Sequence, residues 1–240
     1  MFLGIYIFAL SICLFMYYII KPDKLQNKDD SSTYYHYMIS LLNVGIEEVL
    51  IRYFVFNNPV IKNNTKITFL NTIITPFLFL FIQDLYFYIL HRMVHHELIY
   101  KYIHKMHHEI KNPNIFTSFY ENPIEHIILW ILPYILYPRI VNINIYAYIF
   151  ILFYTTILAL EGHSGNSYNG EFWYIGYVFT NKKIPKYVAY ISHHTYGHDM
   201  HHQYTNCNYA SYFTHLDRYF GTLHKNFDKI ANELYNKKII

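Results

Sequence analysis

Residues Phe2 to Ile20 form an uninterrupted apolar run of 19 residues, about the ~20 needed to cross a bilayer as a helix. The run reads as a membrane anchor rather than a cleaved leader. No basic residue precedes it, and Lys21 and Pro22 follow where a small-x-small cleavage site would stand. A second run, Ile67 to Leu90, has Asp84 as its one formal charge and Pro76 as a tolerable kink. Ile127 to Tyr137 and Ile143 to Leu160 follow, parted by Pro138, Arg139 and Asn142, and predict a helical hairpin that enters and leaves the membrane on one face. Met38 to Phe56 is apolar but holds Glu47, Glu48 and Arg52. Each would cost a few kcal/mol at the bilayer centre, so this stretch predicts an interfacial or partly inserted helix.

Composition agrees with a membrane setting. The chain is 53% hydrophobic and 15% charged, against roughly 25% charged in an ordinary soluble domain. Its mean hydropathy of only +0.08 is held down by 28 Tyr and 16 His, which score as polar although their rings sit readily at bilayer interfaces. The net charge of +3 is too slight to point to nucleic acid, and the apolar content excludes disorder. Cys13 and Cys207 imply no disulfide framework, which suits a reducing or membrane setting. Lys21 to Thr33 reads as a polar linker. From Gly162 onward the chain has no long apolar run and predicts a water-facing cap.

The histidines cluster at helical spacing. His91 and His95 are four apart; His104, His107 and His108 follow an H-x2-HH pattern; His198, His201 and His202 repeat it. Positions three and four apart share a helix face, so each segment is expected to aim two or three rings at one place. His163 comes off the end of the last apolar run on the same side. Adjacent imidazoles repel when charged, and a metal that binds them neutral accounts for the pattern. Nine imidazoles exceed what one tetrahedral zinc can use, and two ions sharing them is the natural count. Imidazole suits iron, copper, zinc and nickel alike. His36, His96, His126, His215 and His224 stand apart and are left unassigned. His194, one turn before His198, is an extra ligand or only a neighbour. His96-Glu97 and His108-Glu109 begin an H-E-x-x-H motif, but Tyr100 and Asn112 occupy its second His position, which disfavours a zinc protease.

The segment from His91 through His95, His104, His107, His108 and Glu109 resembles the signature of the fatty acid hydroxylase and sterol desaturase superfamily, most of all its C-4 methylsterol monooxygenases. Glu161-Gly-His163-Ser-Gly agrees, as does His198-Asp-Met-His201-His202 leading to Asn206 through Thr222, a tail also similar to that of cholesterol 25-hydroxylases. The resemblance runs from about Gln83 to Thr222. It implies an all-α integral membrane enzyme of the endoplasmic reticulum, with about four membrane helices beneath a cytosolic helical cap that holds a non-haem di-iron site. It further implies O2 as oxidant, with electrons from NAD(P)H relayed by cytochrome b5 or its reductase. The implied iron ligands are His91, His95, His104, His107, His108, His163, His198, His201 and His202. The domains expected are a membrane anchor and interfacial region over 1–66, a catalytic domain over 67–225 and a basic tail over 226–240. Asn122-Pro123-Ile-Glu125 stands where the methylsterol enzymes tend to have His-Pro before a Glu. Gly197 stands where the family's last motif, His-His-Asp-x-His-His, has its first His. The inserted stretch from Asn169 to His194 is expected to line the pocket mouth.

The expected activity is oxidation of an unactivated C–H bond in a membrane lipid, a sterol above all. Fatty acyl or sphingolipid hydroxylation or desaturation is the alternative within the superfamily. From other classes, a zinc-dependent membrane hydrolase and a non-catalytic lipid-binding member remain. Imidazole ligands need outer partners to fix their tautomers, and Asp84, Glu97, Glu109, Glu161 and Asp199 are the carboxylates near enough in sequence. The terminal Lys237-Lys238-Ile239-Ile240 resembles a retrieval signal of the endoplasmic reticulum read in the cytosol.

Overall fold

The computed structural model describes residues 2–20, 23–24, 32–58, 61, 64–167 and 194–236. The expected Asn169–His194 pocket mouth, save the start of a helix at His194, and the Lys237–Ile240 signal lie outside the described residues. The regular structure of the described residues is helical apart from a two-residue antiparallel ladder, β1 (Asp23–Lys24) against β2 (Asn166–Ser167). Helix α1 spans Phe2–Ile20 and α2 spans Tyr34–Ile51. Next come α3 (Thr75–Val94), the single-turn α4 (Glu97–Tyr100) and α5 (Pro123–His126). They are followed by α6 (Leu132–Ile140), α7 (Ile145–Gly162), α8 (His194–Tyr204), α9 (His215–Tyr219) and α10 (Phe227–Asn236).

Two of these helices are entered through a π-helical turn, Leu70–Ile74 before α3 and Ile127–Ile131 before α6. In both, a proline follows within two residues, Pro76 and Pro133. Proline has no N–H to give and its ring crowds the carbonyl four residues back, so the preceding turn widens instead of closing as α-helix. The apolar run expected over Ile67–Leu90 therefore becomes a helix over Leu70–Val94. It starts late because Thr68 and Asn71 cap each other reciprocally, Thr68 N–H donating to Asn71 Oδ1 at 2.9 Å and Asn71 N–H to Thr68 Oγ1 at 3.2 Å. It continues past Leu90, where the positive charge of Arg92 suits the negative end of the helix dipole. Among the described residues, this helix and Ile145–Gly162 are long and apolar enough to cross a membrane, and Leu3–Phe15 is a shorter apolar helix.

One continuous core joins the elements. Tyr6, Ala9 and Cys13 of α1, Val44 and Ile51 of α2, Phe79 and Leu80 of α3, Tyr134 and Tyr137 of α6 and Tyr148, Ile151, Leu152 and Leu160 of α7 pack together. The charges of α2 are accommodated within this packing: Glu47 is buried, and Glu48 pairs with Arg52 and accepts from the Leu3 N–H at 2.8 Å.

The turn into α7 is held by Asn144. Its Oδ1 accepts from the Ala147 N–H at 2.9 Å, and its Nδ2 reaches the Asn71 carbonyl at 3.0 Å and Thr72 Oγ1 at 2.6 Å. Asn144 is fully buried, so losing it strands several polar atoms as well as the helix cap. Asn144→Ala is expected to destabilise the fold by about 2–3 kcal/mol, measured by thermal unfolding in detergent.

Candidate metal centre

Four pieces of chain converge at one end of α3 and α7. α3 presents His91 within its last turn, and His95 caps that helix with its N–H on the His91 carbonyl. His163 caps α7. His198, His201 and His202 lie on α8. The segment carrying His104, His107 and His108 departs from the helix that its spacing suggests. It is a chain of tight turns in which His107 N–H donates to the His104 carbonyl and His108 N–H to that of Lys105, ending in a 3-10 turn over His107–Glu109. Bonds to the third residue back keep rings close along the chain without a regular helix.

All nine expected histidines gather in two groups that could each hold a metal ion. His91, His95, His104, His108 and His201 form one; His107, His163, His198 and His202 form the other. Each triplet places two of its rings in one group. In both triplets the residues four apart stay together, and the third-position residue, His107 or His201, crosses to the other group. On α8, residues four apart are rotated by only about 40°, whereas the third and fourth positions differ by about 100°, so His198 and His202 fall on one side and His201 on the other. The tight turns over 104–109 divide the first triplet in the same way.

The spacing fits metal ions. In the five-histidine group the Nε2 atoms of His91 and His104 are 3.1 Å apart, those of His104 and His108 3.0 Å, and those of His95 and His201 3.3 Å. In the other group His163 and His198 are 2.9 Å apart and His198 and His202 3.1 Å. A cation bound about 2.0–2.1 Å from each imidazole nitrogen puts neighbouring ligand atoms about 2.9–3.4 Å apart, between octahedral and tetrahedral geometry. Without a cation these nitrogens would face one another with lone pairs crowded together.

The outer nitrogens settle the tautomers. Nδ1 of His91 donates to the Tyr209 carbonyl at 2.8 Å, that of His163 to Ala159 at 2.8 Å, that of His201 to Cys207 at 2.7 Å and that of His107 to Tyr120 at 3.3 Å. His104 Nδ1 donates to Glu125 through a short contact between two buried groups. A proton fixed on Nδ1 leaves Nε2 with its lone pair toward the centre. Three of the five carboxylates expected from sequence accept hydrogen bonds from other donors. Asp84 accepts from the backbone N–H groups of Ser211 and Tyr212, Glu109 from the Tyr120 hydroxyl, and Asp199 from Gln203. Glu125 was missed as a partner, although the Asn-Pro-x-Glu pattern was visible. Asn122 caps α5 and Pro123 starts it, which presents Glu125 in the first turn.

Burial, and then the nearness of other imidazoles, pulls His95, His104, His108 and His202 below the ordinary imidazole value. Neutral rings keep a lone pair for a cation. A cavity of about 20 Å³ lies between His104, His107 and His163 on one side and Phe87, Trp130 and Glu121 on the other, room for a molecule the size of water.

The unassigned histidines fall outside both groups. His36 accepts from the Thr33 N–H at 2.8 Å, His96 caps α4, His215 packs on Phe213, and His224 stacks on Tyr204. The side chain of His194 lies outside the described residues. His126 is buried between Glu121 and Glu47. Burial alone would lower its pKa, but the two carboxylates outweigh burial and push it up to about 9. A raised folded value means that this proton's contribution to stability is complete below the ordinary value of about 6.5 and is lost as the pH climbs through about 9. Melting temperatures between pH 7 and 10 are therefore expected to fall more steeply for the wild type than for His126→Gln.

The chain is similar in sequence to several curated proteins. A Dictyostelium discoideum protein provisionally named a methylsterol monooxygenase is 35% identical over 170 residues, 69% of this chain and 56% of that protein. Rat methylsterol monooxygenase 1 is 38% identical over 59% of this chain and 43% of its own length. Human lathosterol oxidase is 31% identical over 60% and 43%. The chain spans about half the length of the curated relatives it matches. No solved structure matches it. The fatty acid hydroxylase family model matches residues 76–222, a stretch that holds every histidine of both groups and the Glu125 that orients one of them, and the chain belongs to that family.

Proposed function

We propose that this chain is an O2-dependent oxidoreductase that hydroxylates an unactivated C–H bond of a membrane sterol at a histidine-ligated di-iron centre. The observation that carries the reading is the pair of histidine groups, five and four strong, with their nitrogens at metal-ligand spacing. His91, His95, His104, His108 and His201 would hold one iron and His107, His163, His198 and His202 the other. The irons, when bound, supply the activation of O2 that no side chain can perform. The chain's own part is to hold nine lone pairs inward and exclude water. Carbonyl acceptors and Glu125 fix the rings, and Phe87 and Trp130 wall the cavity. The sterol assignment rests on what the relatives are named for. Four membrane helices would be α1, α3, the helical run over 127–140 and α7, with the histidines in a cytosolic cap on the endoplasmic reticulum. The anchor region (1–66), catalytic domain (67–225) and basic tail (226–240) follow that layout. Electrons would come from NAD(P)H through cytochrome b5 or its reductase.

A second reading, desaturation, is favoured by one observation: a fungal relative from Gibberella zeae, 29% identical, is named a Delta(7)-sterol 5(6)-desaturase. Hydroxylation and desaturation would share the metal site and differ in product.

Purified protein in nanodiscs is expected to carry two irons per chain and to consume O2 on addition of sterol and reductant. Labelled O2 appearing in a product alcohol supports hydroxylation, and an unlabelled alkene supports desaturation. One zinc, no iron and no sterol-stimulated O2 uptake would overturn the oxygenase reading. His36→Ala is expected to change neither iron content nor turnover, since His36 lies outside both groups, capping α2 and meeting Tyr120 ring edge to ring.

A further inference from the structure

Helix α2 precedes the region that the family model matches, yet its polar face grips the loop that serves both histidine groups. Ser40 Oγ accepts from the Phe119 N–H at 3.2 Å, and Asn43 Nδ2 donates to the carbonyls of Phe119 and Glu121, each at 2.9 Å. One turn further on, Glu47 Oε2 stands 3.3 Å from His126 Nε2, an ion pair whose angle falls short of a hydrogen bond. The other ring nitrogen, Nδ1, donates to Glu121 Oε1 at 2.6 Å. Ser40, Asn43 and Glu47 are buried, as are Glu121 and His126. An apolar face would pack α2 equally well, and burying polar groups costs free energy unless each is paired. Packing alone therefore gives no reason for this stripe.

What the stripe holds is specific. Between Phe119 and His126 the loop offers the Tyr120 carbonyl to His107 and the Glu125 carboxylate to His104. Those two histidines belong to different groups, so one clamp sets a ring in each. Glu121 also lines the cavity beside them.

We propose that Glu47, with Asn43 and Ser40, is a positioning residue of the metal centre, acting through His126 and Glu121 on the loop that orients His104 and His107. The proposal rests on the metal-centre reading above and extends the site to a helix outside the matched family region.

The test uses the full chain in detergent, stripped of metal and titrated with cobalt(II), whose visible absorption reports both affinity and ligand geometry. Wild type is expected to take up two equivalents. Glu47→Leu, which removes the carboxylate, is expected to weaken uptake by about 10–100-fold and to shift the absorption bands at saturating cobalt. Glu47→Gln, which keeps an acceptor toward His126, should fall between the two. Glu48→Gln, one residue along the same helix, should match wild type. The saturated spectrum separates positioning from stability, because a stability loss changes how much cobalt binds and not the ligand field once it has bound. Glu47→Leu superimposable on wild type, or weaker uptake with an unchanged saturated spectrum, would overturn the proposal. If Glu47→Leu does not fold, a Glu47→Gln titration and spectrum identical to wild type would overturn it. Wild type that binds no cobalt would overturn the metal-centre reading and this proposal together.

Discussion

Replacing His107 with alanine is expected to cost more metal than replacing His201, although the two occupy the same place in matching H-x2-HH triplets. His107 belongs to the four-histidine group and His201 to the five-histidine group. His107→Ala leaves three imidazoles, which a competing chelator strips readily, whereas His201→Ala leaves four, a complete set for a tetrahedral ion. Chelator-washed protein should therefore hold about one ion per chain in His107→Ala and close to two in His201→Ala, read by elemental analysis. Turnover should fall by at least about 100-fold in both. A reaction that needs two ions at fixed separation does not survive the loss or displacement of either. Equal metal retention in the two variants would count against the division into groups. Wild-type turnover in either would count against the site.

The second large effect is expected at Glu125. Its carboxylate meets His104 Nδ1 where both side chains are about 1% exposed. Water cannot replace the partner if it is lost. Glu125→Ala leaves the Nδ1 proton of His104 unpaired in a buried site, which costs about 1–3 kcal/mol, and lets the ring take the tautomer that points a proton at the ion. Metal affinity should fall by about 10–100-fold. Glu125→Gln keeps an amide oxygen able to accept from Nδ1 and should recover most of that loss. Metal titration of the three proteins at one pH checks the order wild type, Gln, Ala. Affinity equal in all three would show that His104 is oriented without Glu125.

The two substitutions probe different layers of the site, and those layers were unequally visible in the sequence. Eight ring positions could be read because their spacing is local and recurs in three segments, and the ninth, His163, from its place at the end of an apolar run; the chain has seven other histidines. Helices α3 and α7 were readable because an apolar run of that length leaves few other folds. Their boundaries were not, since the start of α3 depends on the Thr68–Asn71 cap and a proline-driven π turn. The outer partners of the histidines were missed almost entirely. Four of the five hydrogen bonds shown above to orient rings go to backbone carbonyls, those of Tyr209, Ala159, Cys207 and Tyr120. Every residue has a carbonyl, so nothing in the residue type marks these.

The sequence by itself marked nine rings as candidate ligands, eight of them through periodicity within a few residues, although the His104–His108 stretch forms tight turns where that spacing suggests a helix. Only the tertiary structure decided how the rings divide. His107 and His201 leave their triplet neighbours because α8, α3, the end of α7 and the 104–109 turns approach the centre from different directions, and the division depends on the angles between them. It also decided that Glu47 and Asn43, dozens of residues upstream, stand behind His104 and His107. Contacts between positions 43 and 119, or 47 and 126, exist only after α2 has packed against the loop before α5, and local spacing carries no trace of them.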